Sequence, residues 1–321
     1  MEQKEVRSLR ERVGISVMSV PPTEPAALVA SLVELEEAGV DQIWVSGPVW
    51  QPDLLTTLAA AATRTTRLKL GTAVVQAFAR HPVLLAQQVL SLNALAPGRL
   101  RLGIGTGVPA FAKRVYGIEM EQPLAYLREY VQVLRPLLQG GEVHHQGRYF
   151  TVDVSLQASS RIPLLVAALG PKAFRLAGEV ADGALPYLCP IPYLLETALS
   201  ALSAGAAAAG RSCPPVVAHV PVAFTEDRTL ALQAGREAMS FYTTLPACRH
   251  MFVAAGYSQQ EIDTVSDSFV ESLLVFGDES KIRDRLLELL SIGFDDLMIE
   301  PVPISDAAQE EKRLARLIGQ L

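Results

Sequence analysis

The residues of this chain best suited to meet a ligand are glycines. The run Leu100-Arg101-Leu102-Gly103-Ile104-Gly105-Thr106-Gly107-Val108-Pro109-Ala110 sets three glycines at alternate positions and ends at a proline. From Gly105 it reads G-x-G-x-x-A, a degenerate form of the turn whose backbone cradles a dinucleotide pyrophosphate. A second glycine turn, Leu169-Gly170-Pro171-Lys172, stands where a helix should begin. There the N–H groups of Gly170, Lys172 and Ala173, with the Lys172 ammonium, would form an anion site. Two turns of this kind point to a cofactor that carries phosphate, because small residues let a ligand approach the backbone closely.

The side chains narrow the chemistry by exclusion. No set of His, Cys, Asp or Glu has metal-ligand spacing, and no G-x-S-x-G elbow is present, which removes metal hydrolysis and serine catalysis. Cys189, Cys213 and Cys248 are odd in number and show no C-x-x-C spacing, so neither a disulfide framework nor a zinc site is expected. His81 precedes Pro82 at a helix start and reads as a cap, whereas His144 and His145 fall in a polar segment. His219 lies inside an apolar strand; a satisfied core histidine is the expected reading, with proton donation open if it points inward near a rim. Trp50, Gln76 and Arg80 come after expected strand ends, where they would face a substrate or else pack within loops.

Positioning these residues requires a regular scaffold, and the chain alternates short β-rich runs with helical patterns. Strands are expected at 13–19, 41–46, 67–75, from Leu100 through the glycine run, and at 162–169, 182–187, 215–224 and 294–302. Between them, Leu28, Leu32 and Leu35 mark one helix, stopped at Gly39, and Leu85, Val89 and Leu92 another, opened by Pro82. Further helices are expected at 52–64, 121–138 and 171–181, after Asp278, and at the C-terminus. A polar hairpin-like segment (141–152) and a helical excursion near 240–270 read as insertions. Eight strands alternating with helices over 321 residues, with no linker, indicate a single TIM (β/α)8 barrel domain spanning 1–321. Three βα units precede the glycine run, and Gly117 and Pro123 interrupt the segment after it. The dinucleotide fingerprint therefore gives way to a turn on the barrel's C-terminal rim.

The net charge of −6 comes without a clustered basic face, which argues against a nucleic-acid partner. The first residues lack the apolar core of a signal peptide, and the alanine-rich 194–210 contains Glu196, so it reads as a helix packed on protein instead of a membrane span. A cytoplasmic location is expected.

Four blocks carry a resemblance: LKLGTAVVQAFARHPVLLAQQVLSLNALAPGRLRLGIGTG (68–107), YLREYVQVLRPLLQGGEVHHQGRYFTV (126–152), PLLVAALGPKAFRLAGEVADGALPY (163–187) and GFDDLMIEP (293–301). Together they resemble the bacterial luciferase-like superfamily, in particular its branch of oxidoreductases dependent on the deazaflavin coenzyme F420. The resemblance implies a barrel with its cofactor at the C-terminal rim and a cis peptide at Ala73–Val74 behind the deazaflavin ring. It further implies that Gly105, Thr106 and Gly107 line the cofactor chain and that Leu169, Gly170 and Lys172 hold its phosphate. Ser46 matches the first residue of a Ser-Asp-His motif found in many relatives, but Gly47 and Pro48 replace the other two, so the usual acid–base histidine is absent. The implied activity is hydride transfer between coenzyme F420 and a small organic molecule, in a homodimer. An FMN-dependent monooxygenase and a cofactor-binding protein without catalysis are the alternatives.

Overall fold

The computed structural model describes residues 7–17 and 24–321. The barrel strands are β1 (Val13–Val17), β2 (Gln42–Val45), β3 (Lys69–Thr72), the two-residue β4 (Val75–Gln76) and β5 (Leu100–Gly105). A hairpin of β6 (Glu142–Gln146) and β7 (Thr151–Ser155) comes next, then β8 (Leu164–Ala167), β9 (Gly183–Leu185), β10 (Val217–Ala223), β11 (Val275–Phe276) and β12 (Asp296–Pro301). The neighbour order β11-β10-β12-β1-β2-β3-β5-β8-β9 is parallel throughout. An Ala184–Val216 bridge, with the Ala184 N–H 2.9 Å from the Pro215 carbonyl, joins β9 to the start of β10 and closes the barrel. These strands read as continuous apolar runs because helices cover the outer face while side chains fill the inside.

The helices start and stop for local reasons. Pro82–Leu95 opens on a proline whose missing N–H costs nothing there, and the His81 ring accepts the Val83 N–H. His81 is thus the cap its position suggested. Asp53 and Asp278 cap the helices Leu54–Ala62 and Glu279–Ser291. No helix among the described residues is long and apolar enough to cross a membrane, and the alanine-rich segment packs as Ile191–Tyr193, a π turn at Leu194–Ala198, and Leu199–Ala208.

Two expectations need correction and one is sharpened. The strand expected at 67–75 is broken at the Ala73–Val74 peptide, which is cis as the resemblance implies; β4 beyond it pairs with β5 and not with β2. The segment after the glycine run is interrupted at Gly117 and Pro123 as expected, and before the break it forms a helix, Pro109–Tyr116, which Gly117 ends in the left-handed conformation. Read as an interruption, that glycine is a C-terminal stop. The excursion begins at Arg228 and comprises four helices, Arg228–Thr243, Pro246–Ala254, Gln259–Thr264 and Asp267–Leu273. The first of these buries Ala231 and Gly235 beside Leu232 and Met239, and the two small residues weaken its periodicity in sequence. The ends expected for the first strand at Met18 and Ser19 lie outside the described residues.

Inside the barrel, Trp44, Leu165, Leu185, Val217 and Met298 pack as one layer. Side chains two residues apart on a strand share a face. Gln42, Arg101 and Asp296 therefore lie on the N-terminal side of this layer, while Ser46, Tyr187, His219 and Glu300 lie on the C-terminal side, where barrel active sites are built.

Candidate active site at the barrel mouth

Three strand ends converge tightly on one side of the mouth. A Cβ on Gly105 would stand 2.9 Å from the Val74 side chain and 3.0 Å from that of Ala167, so only a glycine leaves space between them. Gly107 has φ +67°, and a Cβ there would run into the Phe78 ring at 2.2 Å. Between these two, the Thr106 hydroxyl turns back on the Gly107 carbonyl at 3.2 Å. Gln76 pairs in register with Gly105, and its buried Oε1 has no hydrogen-bond partner among the described residues. Such an orphaned acceptor needs a donor from outside the chain.

The second glycine turn follows the strand that ends at Ala167. Gly170 precedes the helix Pro171–Val180 and no side chain caps it. The Ala173 N–H is not available as expected, since it bonds the Gly170 carbonyl at 2.9 Å. The N–H groups of Gly170 and Lys172 have no partner among the described residues, and the Lys172 side chain is exposed. Leu169 presents its carbonyl to the Tyr193 hydroxyl at 2.8 Å. Ser46 is half-buried just beyond β2.

Arg80 forms an ion pair with Asp53, the residue that caps Leu54–Ala62, and so braces a loop. Burial alone would raise the Asp53 pKa, but the Thr56 hydrogen bonds and Arg80 outweigh it and hold this carboxyl below its usual range. Trp50 is 57% exposed yet stands edge-on to Phe111 at 5.5 Å. From Phe111 the ring contacts continue to Phe241 (6.3 Å), Tyr242 (5.4 Å), Tyr187 (4.8 Å) and His219 (4.2 Å). An aromatic wall therefore runs from the rim into the barrel.

At its inner end lies a polar group that sequence reasoning did not assemble. The His219 Nδ1 accepts the Leu188 N–H at 3.4 Å, which leaves Nε2 as the protonated nitrogen, donating to Glu300 Oε2 at 2.6 Å. The Tyr187 hydroxyl donates to the same Oε2 at 3.0 Å. The Tyr187 and Tyr242 hydroxyls are 3.0 Å apart, and since the one proton of Tyr187 goes to the carboxylate, Tyr242 is the donor between them. Burial, then the neighbouring Glu300, push the Tyr187 pKa well above the ordinary phenol value; burial raises that of Tyr242 to about 12. Among the described residues no Lys or Arg pairs with Glu300, whose partners are the His219 imidazole and the Tyr187 hydroxyl. His219 is thus the satisfied histidine expected, and it also faces the interior. Glu300 was missed, although a lone acid in Leu297-Met298-Ile299-Glu300-Pro301, two residues from Met298 and so on the same face, was a legible signal.

His144 and His145 do not join this site. His144 contacts Asp153 on the exposed hairpin, and His145 contacts Glu129, whose carboxylate also accepts the N–H groups of Arg148, Tyr149 and Phe150. A separate cavity of about 650 Å³ is bordered by His219, Val220 and the charged residues Lys281, Asp284, Arg285 and Glu288 of the helix Glu279–Ser291.

A parallel barrel whose C-terminal mouth combines a cis peptide, glycine turns and a half-buried acid defines a class, and the comparisons agree with it. The family model described as luciferase-like monooxygenase matches residues 12–296, and the chain belongs to that family. It is similar to the 5,10-methylenetetrahydromethanopterin reductase of Methanolobus tindarius, with 28% identity across 93% of this chain and 96% of the relative. It is also similar to the F420-dependent glucose-6-phosphate dehydrogenase of Kineococcus radiotolerans, with 33% identity across 66% and 68% of the two chains. Among solved structures, the coenzyme F420 dependent tetrahydromethanopterin reductase from Methanopyrus kandleri superposes with a TM-score of 0.77 at 25% identity, covering 96% of this chain and 97% of the other.

Proposed function

We propose that this chain is a coenzyme F420-dependent oxidoreductase that moves a hydride between the deazaflavin and a small organic substrate at the barrel mouth. The supporting observation is the cradle itself: the gap between Val74, Gly105 and Ala167, the orphaned Gln76 Oε1 beside it, and the unpartnered N–H groups of Gly170 and Lys172 in the turn after Ala167. A planar ring carrying N–H donors suits the first two, and a phosphate suits the third. The relatives named for F420 dependence support the same cofactor.

In this reading Ala73 and Val74 back the ring, Ser46 flanks it, and Gly105, Thr106 and Gly107 line the chain that leads away from it. Gly170 and Lys172 bind the phosphate through their N–H groups, with Leu169 fixed by Tyr193 to set the turn. Trp50 and the aromatic wall border the substrate, while Arg80 shapes the loop beneath through Asp53. When bound, the coenzyme supplies the hydride chemistry; the protein orients it and excludes water. Fluorescence titration with coenzyme F420 and, separately, with FMN tests the assignment. Micromolar or tighter binding of the deazaflavin with weaker binding of FMN is expected, and preference for FMN would transfer the protein to oxygen-activating chemistry.

A further inference from the structure

Because β2 is followed by Ser46-Gly47-Pro48, that strand supplies no acid–base side chain to the mouth. The arc of β9, β10 and β12 does. Glu300 lies on the inner face two residues beyond Met298, and its carboxylate is held from two sides by His219 Nε2 at 2.6 Å and the Tyr187 hydroxyl at 3.0 Å. Among the described residues no Lys or Arg pairs with it, so no permanent cation ties up its oxygens. The Tyr187 ring continues into the aromatic wall through Tyr242, and its hydroxyl links Glu300 to that wall.

We propose that Glu300, reached through the Tyr187 hydroxyl and positioned by His219, is the proton acceptor for oxidation of a substrate hydroxyl, so that the substrate is an alcohol, a hemiacetal or the corresponding carbonyl compound. The proposal rests on the hydride-transfer reading above. Removing a hydride from a carbinol carbon requires the hydroxyl proton to leave as well, whereas adding a hydride to a preformed cation requires no proton partner; a built proton acceptor therefore selects the first class. In the oxidative direction the substrate O–H bond breaks and its proton passes to Tyr187 Oη as the tyrosine proton moves to Glu300 Oε2. The C–H bond breaks with its electron pair going to the oxidised deazaflavin, and the C=O bond forms. Reduction of the carbonyl reverses each transfer.

The full chain is titrated with coenzyme F420 and assayed with propan-2-ol, cyclohexanol, 1-phenylethanol and glucose as wild type, Glu300→Gln, Tyr187→Phe and His219→Gln. Thermal unfolding is followed for each. Turnover of at least one of these probes is expected. Glu300→Gln should lower kcat by about 10²- to 10⁴-fold with coenzyme affinity unchanged, and Tyr187→Phe should lower kcat more than it alters KM. If Glu300→Gln does not fold, Tyr187→Phe, which keeps the ring, carries the test. Independently of activity, ¹⁵N NMR of the His219 ring should report a protonated Nε2 in the wild type and a changed Nε2 environment in Glu300→Gln. Retention of wild-type kcat in Glu300→Gln or Tyr187→Phe, or a protonated Nδ1 on a neutral His219 ring, overturns the proposal. Binding of the coenzyme without oxidation of any probe overturns it alone, and failure to bind coenzyme F420 removes the underlying reading with it.

Discussion

Asp296 and Glu300 stand four residues apart on the same strand and the same face, yet the barrel treats them as opposites. At the N-terminal end, Asp296 is 2% exposed and accepts from Arg7 at 2.7 Å and Arg101 at 3.2 Å, with the Arg101 guanidinium also 4.7 Å above the Trp44 ring and bonded to Gln42. At the mouth, Glu300 is 13% exposed and meets an imidazole and a phenol. A carboxylate held between two guanidiniums is tied to permanent cations and closes the barrel floor. One held by a phenol and an imidazole has no permanent cation beside it among the described residues. The lesson is that the counter-charge, more than the acid itself, separates a structural carboxylate from a chemical one.

Breaking the floor should give the largest effect on stability. Asp296→Ala leaves Arg101 buried without its partner, and the expected loss is about 3–5 kcal/mol, measured by urea unfolding. Glu300→Gln keeps the size and two-sided hydrogen bonding of the original, so its expected loss is no more than about 1.5 kcal/mol. Equal losses at the two positions would erase the distinction.

A third kind of carboxylate sharpens it. Glu36 accepts the N–H groups of Thr66, Arg67 and Leu68 at 2.7–3.1 Å and ties a loop to the helix Pro25–Glu37. Burial would raise the pKa of Glu36 and of Glu129, but the backbone hydrogen bonds outweigh it, and both carboxyls are held below their ordinary value. Groups depressed in this way add stability at pH values above the unfolded-state pKa of about 4.3, and that stability is lost as pH falls through the lower folded value. Glu36→Gln should cost about 1–3 kcal/mol at neutral pH and flatten the acid limb of the stability–pH curve, read by thermal unfolding between pH 3 and 7 (roughly the span of these titrations). A mutant curve parallel to the wild type would contradict the assignment.

The smallest expected effect is at the rim. Lys172 is exposed, so Lys172→Ala should weaken coenzyme binding about two- to five-fold, and the difference should shrink with added salt. A larger, salt-independent loss would mean that the ammonium, and not the backbone N–H groups, holds the phosphate.

Much of the barrel was legible because parallel strands and their covering helices leave strong apolar runs, as in Leu164–Ala167 and at Leu85, Val89 and Leu92. The cis peptide became legible through resemblance, since nothing in the residue types Ala73 and Val74 demands it. The helix Arg228–Thr243 was blurred because Ala231 and Gly235 stand in its buried stripe beside Leu232 and Met239, and the helix Pro109–Tyr116 is only eight residues long before Gly117 ends it. The site divided in the same way. Glycine turns show in sequence because the backbone needs them locally. The meeting of Tyr187, His219 and Glu300 depends on three strands and is created only by closure of the barrel.

The most direct test of the account is a crystal structure of the protein with coenzyme F420. The account predicts the deazaflavin against Ala73–Val74, with the phosphate at the N–H groups of Gly170 and Lys172 and the ring's open face toward the Tyr187 and Glu300 side of the mouth. A coenzyme seated instead in the cavity beside the helix Glu279–Ser291, away from Val74 and Gly105, would contradict it.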